Sequence, residues 1–260
     1  MSWKFLALGI GLCGAVGSVS AETTPLYQQR VEQAVPDAEA LKHSAELLQA
    51  HKERPIQQKF VIQPFHKHEG ELETAPNAFC RNCHGPLPHD KSLRTRAFLN
   101  MHVRFIACES CHFRPKEMAL EYRWFDYQDQ SVVSGQGLFR LGHEIDNAKQ
   151  RPSNPKIAPF YHGEPAFVVK DSAFSLGLAE QWKQASPDDR IALRARVHWP
   201  LEKKGPDCHD CHTTDKPMLD LTALGATPDE TQAMQKHVIP QFFRHYEKDE
   251  QRITIRNLLR

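Results

Sequence analysis

The sequence predicts a mainly α chain with much irregular structure, built around bound groups more than around a large core of its own side chains. Three observations predict it. The apolar fraction is 40% even with tyrosine counted, and there are 18 prolines, where globular domains run at roughly 45–50% apolar. Helix-start signals recur at Pro36-Asp37, Ser186-Pro187-Asp188-Asp189 and Thr227-Pro228-Asp229-Glu230. One five-residue pattern also returns three times, as Cys80-Arg81-Asn82-Cys83-His84, Cys108-Glu109-Ser110-Cys111-His112 and Cys208-His209-Asp210-Cys211-His212.

Each copy is C-x-x-C-H, the attachment signature of c-type haem. The chemistry requires that spacing: two thiols add across the two vinyl groups of one porphyrin, and the adjacent histidine offers an imidazole nitrogen to the iron. Shuffling this composition would give roughly 0.01 copies, so three copies are not coincidence. Three covalently bound haem c groups are therefore expected, on Cys80 and Cys83, Cys108 and Cys111, and Cys208 and Cys211. Their porphyrins would supply apolar surface that the side chains lack, so the chain without haem is expected to fold poorly.

Taken in order, residues 1–21 read as an export signal: Lys4, an apolar run from Phe5 to Val19, then Val19-Ser20-Ala21 as the cleavage site. The run is about 15 residues, short of a membrane span, and no later stretch is apolar enough to cross a bilayer. The expected location is the periplasm, with membrane association if the signal stays uncleaved. Removing it takes Cys13 away and leaves six cysteines, all in the motifs. No thiol remains for a disulfide framework. Formal charge is +1, the propionates would make the loaded protein mildly acidic, and no basic patch points to nucleic acid.

Residues 22–59 form an N-terminal helical segment, with Leu41, Ala45 and Leu48 on one face of a helix opened by Pro36-Asp37 and His43 opposite them. Residues 60–115 are a two-haem region, in which a helix is expected over Arg94 to Val103. Residues 116–197 are a haem-free insert: Tyr122–Tyr127 and Ala166–Val169 are candidate short strands. Gly135, Gly137, Gly142 and Arg151–Pro155 mark loops. Ser186-Pro187 opens a helix there, although the residues after it alternate as a strand would. Residues 198–260 hold the third motif and a C-terminal helix from Thr227 to about Tyr246, which Pro240 should kink or divide. Arg252, Arg256 and Arg260 end the chain as a basic tail.

Iron needs a second axial ligand, and 15 histidines supply many candidates. His84, His112 and His212 are the proximal ones. A histidine lies shortly upstream of each motif: His66 or His68 before Cys80, His102 before Cys108 and His198 before Cys208. Bis-His ligation is expected, with His102 and His198 foremost, His66 and His68 competing for one place, and His89 a further candidate between two motifs. His43, His51, His143, His162, His237 and His245 read as surface or backbone-bonded histidines, His209 as exposed, and Met101, Met118 and Met218 as packing residues.

The three motifs, each with an upstream histidine, resemble those of the multihaem c-type cytochromes, in particular the class III-like periplasmic trihaem and tetrahaem electron-transfer proteins with bis-His haems. The resemblance covers about residues 60–112 and 198–216 and rests on the motifs. It implies closely packed haems passing single electrons between redox partner proteins, such as quinol-linked or other cytochromes or a terminal reductase, with no catalytic residues. The long haem-free interval departs from the small trihaem members. The competing reading is a small reductase with one open haem acting on a nitrogen or sulfur oxyanion, with Arg123, Tyr127, Tyr161, His162 and Lys170 as candidate charge-stabilising groups. Zinc on paired C-x-x-C motifs is a third reading, against which the export signal and the histidine after each pair both count.

Overall fold

The structure is a computed structural model, and it describes residues 23–51, 77–85, 87–89, 95–139 and 155–244. The export signal, His66, His68, His143, His245, Gly142, residues 151–154 of the expected loop and the basic tail lie outside them.

The fold is mixed α/β, which corrects the expectation of a mainly α, haem-wrapped chain. Its centre is a four-stranded antiparallel sheet in the order β2-β1-β3-β4, from β1 (Glu121–Asp126), β2 (Ser131–Val132), β3 (Lys156–Tyr161) and β4 (Glu164–Pro165). The long central pair sets Trp124 opposite Ile157 and Tyr122 opposite Pro159. The expected strand at Tyr122–Tyr127 is present as β1. The one at Ala166–Val169 is not: Ala166, Phe167 and Val168 are buried, and only Val169 makes a bridge, to Ala78. β3 escapes a reading of the sequence because Lys156 opens it and Pro159 sits inside it, both unfavourable in a strand. His162 and Gly163, at φ 52° and 83°, close the β3–β4 hairpin with the two positive φ values a tight primed turn needs.

The helices are α1 (Leu26–Glu32), α2 (Ala38–His51), α3 (Arg96–His102), α4 (Cys108–His112), α5 (Ala173–Gln184), α6 (Pro187–His198), α7 (Cys208–Cys211), α8 (Pro228–Gln235) and α9 (Val238–Arg244), with α4 packed on β3 and α6 on α1 and α2. The caps explain the starts. Asp37, Ser172, Ser186 and Thr227 each accept a backbone N–H from the first turn. At α8 Thr227 and Glu230 cap one another's backbone. The expected C-terminal helix is divided, and Pro240 lies in the first turn of α9, where its missing N–H costs little. In α2 the face turned inward is centred on Ser44, which accepts from Arg194 of α6 at 3.0 Å, whereas Leu41 is exposed. Among the described residues no helix is long and apolar enough to cross a membrane.

Three apolar clusters join these parts. Phe125, Tyr127, Phe160 and Phe167 interlock over one stretch of the sheet. Tyr27, Phe79 and Phe113 tie α1 to the first and second motifs. Trp124 and Ile157 pack on Leu219, Leu221 and Leu224 after the third motif. These clusters give the described residues a buried aromatic core of their own.

Candidate functional site

The sheet positions the motifs. Ala107, just before α4, donates to the carbonyl of Ile157 at 2.9 Å, Ile157 donates to Phe105 at 2.8 Å, and the Ser110 hydroxyl reaches the Ile157 carbonyl at 2.8 Å. On the other side Lys170 donates to the Asn77 carbonyl at 2.8 Å, beside the Ala78–Val169 bridge and the 3-10 turn Phe79–Asn82 of the first motif. The first two motifs therefore dock on a scaffold that the haem-free insert builds. The third forms α7, with Asp207 and Asp210 capping each other's backbone, and α9 packs against it.

Each motif histidine faces a second imidazole. His84 lies 6.0 Å from His198, His112 lies 6.4 Å from His89, and His212 lies 6.1 Å from His102, centroid to centroid. Two imidazoles that bind one metal ion from opposite sides, at about 2 Å per nitrogen, have centroids about 6 Å apart. All three pairs have that separation. The pairing also crosses between motifs. His102 precedes the second motif but faces the third, and His198 precedes the third but faces the first. His89 faces the second. Of the upstream histidines, His102 and His198 are thus brought to motif histidines, though neither to its own motif.

Hydrogen bonds fix the rings. The Nδ1 atoms of His102, His112, His198 and His212 lie 2.7, 3.0, 2.9 and 2.6 Å from the main-chain carbonyls of Phe98, Glu202, Arg194 and Met234. An Nδ1–H donated to a carbonyl leaves Nε2 with the lone pair a metal needs. Helix ends supply the geometry: His102 and His198 close α3 and α6, each bonded back one turn. Burial pushes the His198 imidazole down to about 4, against the hydrogen bond to Arg194, and it also lowers that of His212. Both rings are neutral bases near pH 7.

The motifs adjoin one another. The Cys80 thiol donates to Glu109 at 3.3 Å and shares a hydrogen bond with Cys108, which holds Cys80 up and draws Cys108 down. Cys211, raised to about 12 mainly by burial, is raised further by Cys111. Gly205, on the approach to α7, would place a Cβ 3.6 Å from that of Cys111. The six motif cysteines are unbridged.

The residues fit a porphyrin better than a bare ion. Among the described residues no group of three or more His, Cys, Asp or Glu side chains could hold a metal, whereas a structural zinc needs four ligands. A porphyrin brings four nitrogens of its own, so the protein need supply only two. Apolar side chains beside the paired histidines are also uncovered: Met101 at 47%, Trp199 at 44% and Leu99 at 36% exposure. Of the candidate charge-stabilising groups, Arg123 pairs with Glu121 and lies over Phe160, Tyr127 is buried, Tyr161 is tilted against His162 at the hairpin turn, and Lys170 is exposed. Comparison of the chain with family models, with curated proteins and with solved structures gives no match.

Proposed function

We propose that this chain is an exported trihaem c-type cytochrome, in which three haems held by two imidazoles each pass single electrons between redox partner proteins. The observation that carries the reading is the set of three imidazole pairs, one for every C-x-x-C-H histidine, at 6.0, 6.4 and 6.1 Å. When bound, each haem supplies one reversible ferric–ferrous couple. The chain's own residues would set the rest: cysteines would anchor the porphyrin edges, carbonyls aim the imidazoles, and β3 with the segment after β4 holds the first two motifs. An iron with both axial positions filled has no place for substrate, which favours electron carriage over reduction of an oxyanion.

The second motif adjoins both of the others. Cys80 touches Cys108, His198 lies within electrostatic reach of both His84 and His112, and Cys211 lies within reach of Cys111. Electrons would be exchanged with quinol-linked or other cytochromes or a terminal reductase.

The test is expression with a c-type maturation system and export. The purified protein should carry three haems by mass and by pyridine haemochrome, keep them through acid–acetone extraction, and be low-spin without binding cyanide. Loss of the chromophore on extraction overturns the proposal. A high-spin iron that turns over nitrite or sulfite replaces it with the reductase.

A further inference from the structure

We propose that Asn100 is a positioning residue for the second haem: its amide sets the ring plane of His89 and so makes that iron electronically distinct from the other two. The inference rests on the trihaem reading. Residues 87–89 are in neither helix nor strand, so secondary structure there does not orient the His89 ring. Asn100 of α3 does so at three points. Its Oδ1 accepts from the His89 backbone N–H at 3.1 Å and lies 3.2 Å from His89 Nδ1, while its Nδ2 donates to the His89 carbonyl at 2.9 Å. At His102, His112, His198 and His212 the Nδ1 partner is a main-chain carbonyl, which substitution cannot remove. At His89 it is a side chain.

The ring planes differ accordingly. His89 and His112 are nearly parallel, 19° apart, whereas His84 and His198 stand at 66° and His102 and His212 at 81°. Parallel imidazoles donate into the same iron d orbital and split it from its partner, giving a rhombic ferric signal. Crossed imidazoles leave the two orbitals nearly equal and give a strongly anisotropic signal with a large leading g value. Hydrogen bonding at the distal nitrogen also adjusts the donor strength of the ring and hence the potential.

Electron paramagnetic resonance and redox titration of the holoprotein test this. Wild type should show one rhombic and two strongly anisotropic low-spin signals. Asn100→Leu, which removes the clamp at similar volume, should broaden or convert the rhombic signal alone and raise one of three potentials. Asn100→Asp, which keeps the acceptor, should retain the rhombic signal. Should Asn100→Leu not fold, Asn100→Gln, which displaces the same amide by one methylene, should perturb the same signal. Signals and potentials unmoved by these changes, or shifted equally at all three haems, overturn the inference while leaving the trihaem reading intact. A wild type without thioether-linked haem overturns the reading itself.

Discussion

His198 is kept uncharged by its surroundings. Burial, with Arg194 and two other imidazoles near it, pushes the ring down to about 4, so at neutral pH it is a lone-pair donor held 6.0 Å from His84. On the trihaem proposal, His198→Gly should open one iron of three, so that one haem would turn high-spin and bind cyanide, with added imidazole restoring the low-spin spectrum. An unchanged spectrum would show that another residue holds that position. Glu109 tests burial from the other side. It is 1% exposed, and its Oε2 has no hydrogen-bond partner among the described residues. Burial raises its carboxyl above the ordinary 4.5. Below that value both folded and unfolded chains hold the proton and nothing is lost. Above it the unfolded chain ionises first, and stability falls with rising pH until the folded carboxyl also ionises. Glu109→Gln should therefore be more stable than wild type near pH 7, by about 1–3 kcal/mol, and equal to it near pH 4. Denaturant titrations at the two pH values decide this.

The elements show which features the sequence made legible. Ser186-Pro187 and Thr227-Pro228 start helices because side-chain caps act within four residues, and a single sequence displays them in full. The three C-x-x-C-H motifs are equally plain, because the same five-residue spacing recurs unchanged. β3 was hidden, since its stability comes from Trp124, Phe125 and the aromatic cluster across the sheet, not from its own composition. The partner of each motif histidine was hidden for the same reason: which imidazole faces which is decided by how α3, α6 and residues 87–89 pack. The contact between β2 and the loop after the third motif illustrates such packing. A Cβ on Gly135 would lie 1.8 Å from the Leu224 carbonyl oxygen and 2.5 Å from the Trp124 ring, where Trp124 Nε1 donates to that carbonyl at 2.9 Å. Gly225 faces the same spot at φ 93°, a backbone conformation that favours glycine. Gly135→Ala should cost about 3 kcal/mol, with a shift in tryptophan fluorescence. An unchanged denaturation midpoint would show that the two segments separate freely.

At the scale of the molecule, the crossed pairing changes what a haem would do for the fold. His84 and His198 are about 110 positions apart in the chain, as are His102 and His212, and neither pair is joined by anything covalent. An iron bound at both ends would act as a staple across such a stretch. By the chain-entropy argument used for disulfides, closing a loop of that length is worth about 4–5 kcal/mol. Unlike a disulfide, the staple can be undone without reduction, since a competing small ligand need only displace one nitrogen. Concentrated imidazole should lower the urea midpoint of the holoprotein while every porphyrin stays attached, and an unchanged midpoint would mean the loops are closed by packing alone. Assembly inherits the same topology. On the trihaem proposal, the first motif would be available for attachment once Cys83 is made, whereas the imidazole that would complete that site, His198, follows more than a hundred positions later.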